Sequence, residues 1–149
     1  MVAVVHCWGG SSRYCNYGCM GCGACVLACR VNAIELNENN TAQVNREACV
    51  GCGLCARACP QDVIEVVPRE AAILPLCSNP DVGSLARKIC DSSCIACGAC
   101  ERACPADAVH VIDNCAVTDV ELCISCGMCA TKCPRGVIRD AHGILAKSF

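Results

Sequence analysis

The chain has 149 residues and a formal net charge of −2, with acidic and basic side chains scattered along it. No basic stripe is present, which argues against a nucleic-acid-binding protein. No apolar stretch reaches the roughly 18 residues that a membrane helix needs, so a soluble protein without a direct membrane span is predicted.

Cysteine dominates the composition. The chain contains 21 Cys, whereas aromatic residues make up only 3%. Cysteine at this level is typical of a disulfide scaffold or of a metal protein. With so few large aromatic side chains, whatever the cysteines bind has to fill much of the interior.

One cysteine pattern, Cys-x-x-Cys-x-x-Cys-x-x-x-Cys, occurs four times, and we call each occurrence a run. This spacing is typical of proteins that bind 4Fe–4S clusters, and four matched copies exclude coincidence. The runs are Cys19, Cys22, Cys25 and Cys29; Cys49, Cys52, Cys55 and Cys59; Cys94, Cys97, Cys100 and Cys104; and Cys123, Cys126, Cys129 and Cys133.

The elements predicted around the first two runs are short. A glycine-containing loop and a helical turn over residues 24–30 lead to a strand at 33–36, which pairs as a hairpin with 42–44. The second run predicts a helical turn over 54–59 and a strand at 63–67. A proline directly after the fourth cysteine ends the helix in three of the runs: Pro60, Pro105 and Pro134.

In the first run Arg30 takes the place of that proline. A nearby cation favours the reduced, more negative form of a cluster, so one interpretation is that the cluster ligated by Cys29 has a raised potential relative to its neighbours. The alternative is that the Arg30 side chain extends into solvent and has little effect.

The same elements recur around the last two runs. A strand at 109–112 pairs as a hairpin with 116–118, and a further strand is predicted at 137–138. The first two runs start 30 residues apart and the last two start 29 residues apart, with a longer, proline-containing segment between the pairs. The predicted fold class is therefore α+β, with short helices and small antiparallel sheets.

This spacing predicts two tandem two-cluster modules of the bacterial ferredoxin type. The first module spans residues 1–68, a linker follows at 69–76, the second module spans 77–140, and a C-terminal tail covers 141–149. The repeat at this period is the signature of duplicated structural units.

In bacterial two-cluster ferredoxins the fourth cysteine of a run ligates the other cluster. Carried onto this chain, that rule predicts four 4Fe–4S clusters with crossed ligand sets. Cluster A takes Cys19, Cys22, Cys25 and Cys59; cluster B takes Cys49, Cys52, Cys55 and Cys29; cluster C takes Cys94, Cys97, Cys100 and Cys133; cluster D takes Cys123, Cys126, Cys129 and Cys104.

Five cysteines lie outside the runs. Two precede the first run and two precede the third at similar distances: Cys7 and Cys15, then Cys77 and Cys90. One interpretation makes them small buried apolar residues. The other is a fifth metal site built from Cys7, Cys15, Cys77 and Cys90. Cys115 falls on a strand and is expected to pack there.

The sequence resembles a known family. Residues 17–23, 76–90, 94–105 and 123–134 are similar to the iron–sulfur B subunit of Rnf-type ferredoxin:NAD oxidoreductases. The resemblance extends to the small polyferredoxin subunits that accompany tungsten or molybdenum oxidoreductases. The Rnf protein carries a membrane helix and a further N-terminal cluster domain, and we expect neither in this chain.

These resemblances imply an electron-transfer subunit without catalytic residues of its own. They imply cytoplasmic partners: a catalytic oxidoreductase subunit, such as a tungsten or molybdenum aldehyde oxidoreductase, and a flavin/NAD protein or a ferredoxin. Copies stacked head to tail would extend the row of clusters. The alternatives are a free polyferredoxin and a peripheral subunit of an Rnf-like membrane complex.

Other protein classes fit less well. An odd cysteine count and the lack of a predicted secretory signal argue against disulfides. Cys-x-x-Cys pairs alone also suit zinc, but the third and fourth cysteines of each run favour clusters. A catalytic cluster needs an iron open to substrate, whereas every run here supplies four cysteines.

Overall fold

The structure is a computed structural model that describes residues 1–7, 17–81, 83–90 and 93–142. Within these ranges the chain forms short helices and two-stranded antiparallel sheets, which confirms the predicted α+β class. The helices are α1 Ala24–Ala28, α2 Leu54–Ala58, α3 Gly83–Ile89, α4 Ala99–Ala103 and α5 Met128–Lys132. The strands are β1 Val2–Val5, β2 Ile34–Leu36, β3 Ala42–Val44, β4 Ile64–Val67, β5 Ile73–Pro75, β6 Val109–Ile112, β7 Cys115–Thr118 and β8 Ile138–Asp140.

Each run builds its helix in the same way. The residue after the second cysteine is a glycine in the left-handed conformation, with φ between 73° and 75°, and the helix starts directly after it. Each helix ends at the residue before the fourth cysteine, which has an extended backbone. The helices predicted over 24–30 and 54–59 are therefore longer than those that form.

The sheets divide into two similar pairs. Strands β2 and β3 form one hairpin and β6 and β7 form another, as the turn sequences predict. The other two sheets join distant segments: β1 pairs with β4, and β5 pairs with β8. We call the part built on β1 to β4 the first module and the part built on β5 to β8 the second module.

The two modules repeat individual hydrogen bonds as well as strands. The amide of His6, just after β1, donates to the Val63 carbonyl at 2.7 Å. The amide of Leu76, just after β5, donates to the Val137 carbonyl at 2.9 Å. His6 and Leu76 are therefore equivalent positions, and so are the cysteines that follow them.

Three elements were missed by the sequence analysis: β1, β5 and α3. All four residues of β1 are buried, so the strand lacks the alternation that identifies a half-exposed strand. Strand β5 lies inside the predicted linker 69–76 and ends in proline. The module boundaries remain a prediction, and most of the predicted tail, residues 143–149, lies outside the described residues.

Two apolar cores lie side by side, one in each module. The first contains β1 together with Leu74 and Leu76 from around β5, and the second contains Ile73, Val109 and Ile138. Strand β5 thus contributes adjacent side chains to different cores. In the part of the chain that the structure describes, no helix is long and apolar enough to span a membrane.

Candidate cluster sites

Exposure follows position within the run. The second cysteine of every run is exposed: Cys22, Cys52, Cys97 and Cys126. The third cysteine, in the first turn of each helix, is buried in every run: Cys25, Cys55, Cys100 and Cys129. Each run therefore spans from a module core to the protein surface.

One cavity in the first module is lined by cysteines from two runs. Four cysteines line this cavity, three from the first run and one from the second: Cys19, Cys22, Cys25 and Cys59. Apolar side chains, among them Leu36 and Ile64, complete the wall. Four sulfurs around an apolar cavity are suited to a 4Fe–4S cluster.

Two further cavities show the same grouping. One is lined by Cys94, Cys97, Cys100 and Cys133, which are the residues predicted for cluster C. The other is lined by Cys49, Cys52, Cys55 and Cys29, which are those predicted for cluster B. In both, the fourth cysteine comes from the neighbouring run.

Three of the residues predicted for cluster D, Cys129, Cys123 and Cys104, lie close enough for their charges to interact. Burial raises the pKa of the Cys129 thiol to about 11, and the nearby charges of Cys123 and Cys104 act in the same direction. Cys104 belongs to the third run and Cys123 to the fourth, so here too a fourth cysteine lies beside the neighbouring run. The ligand sets as a whole remain a prediction.

Burial also raises the pKa of the third cysteine in the other runs, Cys25, Cys55 and Cys100. Burial favours the neutral thiol, whereas metal binds the thiolate, so cluster binding has to displace a proton from each of these cysteines. Among the described residues, no three His, Cys, Asp or Glu side chains are arranged to hold one metal ion.

Backbone amides point at the sulfurs of the fourth cysteines. In three runs the amide four residues further on donates to the cysteine sulfur, because the chain turns back after the extended fourth cysteine. These hydrogen bonds join Ala33 N to Cys29 Sγ at 3.2 Å, Ala108 N to Cys104 Sγ at 3.3 Å and Val137 N to Cys133 Sγ at 3.3 Å.

The strands supply amide donors to first cysteines. Ala42 on β3 donates to Cys19 Sγ at 3.4 Å, and Ala3 on β1 donates to Cys49 Sγ at 3.4 Å. Such hydrogen bonds stabilise negative charge on sulfur and are among the factors that set cluster potentials. The donors, the sulfur groupings and the apolar walls all fit 4Fe–4S clusters.

Cys77 and Cys115, both outside the runs, lie beside the first cysteine of the third run. Cys115 Sγ donates to the Cys77 carbonyl at 3.1 Å, and the Cys94 amide donates to Cys77 Sγ at 3.4 Å. The Cys115 thiol is also within hydrogen-bond reach of the Cys77 and Cys94 sulfurs, and donation to either one lowers the pKa of that cysteine. The sequence does not predict this contact, because the position of Cys115 on a strand does not specify which sulfur lies next to it.

The fifth site stays a prediction. Cys15, one of its four members, lies outside the described residues. Cys7 and Cys77 occupy equivalent positions after β1 and β5, and Cys77 is engaged with Cys94 and Cys115. Cys90 is half-buried at the end of α3.

His6 joins the two modules. Its Nδ1 lies 3.0 Å from the Pro75 carbonyl oxygen, and its Nε2 lies 2.9 Å from Glu65 Oε2. The Ser78 hydroxyl donates to the His6 carbonyl at 2.8 Å. These contacts tie the end of β1 to the segment after β5.

Known protein families match most of the chain. A 4Fe-4S dicluster domain matches residues 15–66, a second 4Fe-4S dicluster domain matches residues 48–108, and a 4Fe-4S binding domain matches residues 116–139. The second match runs from the second run to the third, whereas the cavities pair the third run with the fourth.

A curated relative extends this likeness. The chain is 42% identical over 112 residues to the B subunit of the Na(+)-translocating ferredoxin:NAD(+) oxidoreductase complex of Acetobacterium woodii. The match covers 75% of this chain but 34% of the relative, so the chain spans about a third of that protein's length.

Among solved structures, a chain of the formate dehydrogenase – heterodisulfide reductase – formylmethanofuran dehydrogenase complex from Methanospirillum hungatei is similar, with a TM-score of 0.33 and 17% identity. The match covers 82% of this chain and 51% of that chain. The family matches and the repeated cysteine sites together identify the protein as one built from tandem 4Fe–4S ferredoxin domains, whose chemistry is electron transfer.

Proposed function

We propose that the chain binds four 4Fe–4S clusters, A to D, with the crossed ligand sets given above. The observation that carries this proposal is the cavity shared by Cys19, Cys22, Cys25 and Cys59, in which the second run completes the first. The cavities lined by the cysteines of clusters B and C support the same crossed arrangement, one in each module.

Crossed ligation links each pair of runs into one redox unit. Helices α1 and α2 pack together, as do α4 and α5, so the two clusters of a module lie close to each other. The exposed second cysteine of each run brings the edge of every cluster near the surface. Electrons can therefore enter or leave at either module.

We further propose that the chain is the electron-transfer subunit of a cytoplasmic multi-subunit oxidoreductase. It would connect a catalytic subunit, such as a tungsten or molybdenum aldehyde oxidoreductase, to a flavin/NAD protein or a ferredoxin. Support comes from the Acetobacterium woodii relative, which is itself one subunit of a ferredoxin:NAD(+) oxidoreductase complex.

Apolar side chains beside the clusters favour a docked subunit over a free polyferredoxin. Leu27 is 90% exposed, Ile124 66% and Val50 64%, and each lies between two cysteines of a run. Large exposed apolar side chains close to a functional site are typical of protein contact surfaces. A diffusing carrier is expected to be strongly acidic for solubility and steering, whereas the net charge here is −2.

The first test is the cluster content of the chain purified without oxygen. Roughly 16 iron and 16 acid-labile sulfide per chain are expected for four closed cubanes. Roughly 20 of each would support the fifth site at Cys7, Cys15, Cys77 and Cys90. Zinc without sulfide would refute the cluster proposal.

The second test addresses the partners. Crosslinking in the native cells, followed by affinity purification and mass spectrometry, is expected to recover one oxidoreductase subunit in fixed proportion to the chain. Recovery with membrane proteins would favour the alternative of a peripheral subunit in an Rnf-like complex. Recovery of the chain alone, or with many enzymes in trace amounts, would favour a free polyferredoxin.

A further inference from the structure

Clusters A and C occupy equivalent places in the two modules, yet their surroundings differ. The amide of Ala42 donates to Cys19 Sγ at 3.4 Å in the first module, and the amide of Ala116 bonds to Cys94 in the second. Ala42 and Ala116 are therefore equivalent. The residues before them, Thr41 and Cys115, are equivalent too.

Building on the proposed function, we propose that cluster C has a higher reduction potential than cluster A. The reason is an additional donor, the thiol of Cys115, on the sulfur of Cys94, together with the guanidinium of Arg135 at the same cavity. Both favour the form of the cluster that carries one more negative charge. Electrons shared between clusters A and C would then reside on cluster C.

Cys115 is placed to donate to a ligand of cluster C. It is buried, with 8% of its surface exposed, and its sulfur is within hydrogen-bond reach of the Cys77 and Cys94 sulfurs as well as 3.1 Å from the Cys77 carbonyl oxygen. Its single proton can serve one acceptor at a time. An iron-bound thiolate is anionic, and hydrogen bonds to ionised acceptors are roughly twice as strong as neutral ones, so Cys94 is the favoured acceptor once the cluster is bound.

The equivalent residue of the first module points elsewhere. Thr41 is buried, and its hydroxyl donates to the Asn39 carbonyl at 3.5 Å, within the hairpin turn. The two modules thus place different side chains before the equivalent alanines, and the hairpin turn of the first module is one residue longer.

The charge at the cavity differs in the same direction. Arg135 is half-buried and lines the cavity of cluster C, with its guanidinium held by the Cys90 carbonyl at 2.7 Å and the Ser93 carbonyl at 3.3 Å. At the equivalent place, two residues after the fourth cysteine, Gln61 lines the cavity of cluster A. Arg30 is exposed, so its charge is solvated.

An EPR-monitored redox titration of the anaerobically purified, cluster-loaded chain tests the proposal. Cys115→Ala is expected to lower one midpoint potential and leave the others in place. Loss of one charge-assisted hydrogen bond corresponds to about a tenfold change in the reduction equilibrium, or ~59 mV for a one-electron couple. Cys115→Ser, which keeps a donor, is expected to return that midpoint toward the wild-type value, and Thr41→Ala is the matched control that moves none.

Reciprocal exchanges between the modules extend the test. Arg135→Gln is expected to lower the same midpoint that Cys115→Ala lowers, and Gln61→Arg is expected to raise a different one. If Cys115→Ala cannot hold its clusters, the exchanges at Arg135 and Gln61 decide, because these two residues line the cavities of clusters C and A.

The outcomes separate this inference from the function on which it rests. A wild-type chain without four clusters would refute the proposed function. With full iron and sulfide content, unchanged midpoints in Cys115→Ala, or in Arg135→Gln where Cys115→Ala fails, would overturn the inference and leave the proposed function standing.

Discussion

The position of a cysteine within its run determines what surrounds it. The third cysteine is the second residue of a helix and is buried, whereas the fourth is extended and leaves the helix toward the neighbouring run. The pattern repeats because the glycine before each helix, with φ near 75° at Gly23 and Gly53, fixes the loop in one shape. The cysteine spacing together with this glycine therefore determines which cysteines are buried.

The crossed ligand sets make a prediction at the residue scale. Cys59→Ala is expected to remove cluster A and to spare cluster B, because Cys59 lines the cavity of the first run. The matched variant is Cys29→Ala, in which cluster B is expected to be lost and cluster A retained. Iron content together with EPR spectra of both variants provides the measurement.

Loss of cluster B in Cys59→Ala, with cluster A intact, would mean that each run ligates its own cluster. Cys126→Ala provides a spectroscopic reference, since Cys126 belongs to the second module and its loss is expected to affect cluster D alone.

At the scale of elements, the loop between the first and second cysteines of every run contains a residue in the left-handed conformation. Gly21 and Gly51 have φ of 69° and 71°, as their residue type suggests. Ala96 and Ser125 adopt the same left-handed conformation, with φ of 53° and 55°. The run imposes this conformation whatever residue stands there, so it could be inferred from the cysteine spacing but not from local propensity.

Strand β5 belongs to both modules. Its backbone pairs with β8 of the second module, while Leu74 packs into the first core and Ile73 into the second. Adjacent side chains of a strand point to opposite faces, which is why a single strand can supply both. The sequence predicted a proline-containing linker here, because a three-residue strand is too short to show the alternation of apolar and polar residues that identifies a strand.

Because Leu74 and Ile73 pack in different cores, substitutions at these neighbouring residues are expected to weaken different modules. Leu74 is 2% exposed and Ile73 is 3% exposed, so replacing either by alanine is expected to cost about 2–5 kcal/mol. Leu74→Ala should weaken the first module although its strand pairs within the second. Ile73→Ala should weaken the second module.

EPR measures the order in which the clusters are lost as each variant is warmed. The Cys59→Ala and Cys126→Ala variants identify which EPR signal belongs to which cluster. If Leu74→Ala and Ile73→Ala released the same clusters first, strand β5 would not divide between the cores as the structure indicates.

For the whole molecule, cysteine sulfur is part of the apolar interior. The first core includes Cys25, Cys49 and Cys55, and the second includes Cys94, Cys100, Cys115 and Cys129. Only 3% of the residues are aromatic, so the clusters have to supply volume that large side chains supply elsewhere. Folding and cluster binding are then coupled, as in other small metal-binding domains.

The chain without iron and sulfide is therefore expected not to reach its native fold. Circular dichroism of the chain refolded in chelator, compared with the same chain refolded with iron, sulfide and reductant, measures this. A native-like spectrum in chelator would contradict the coupling and would mean that the apolar side chains suffice.

The sequence by itself determined the cysteine runs, the 4Fe–4S chemistry, the hairpins and the α+β class, because each depends on residue spacing or on turn residues close together in the chain. Tertiary structure alone decided the pairing of β1 with β4 and of β5 with β8, the division of β5 between two cores and the contact of Cys115 with Cys94. These arise between residues far apart in sequence, where the geometry of packing, and not local pattern, selects the partner.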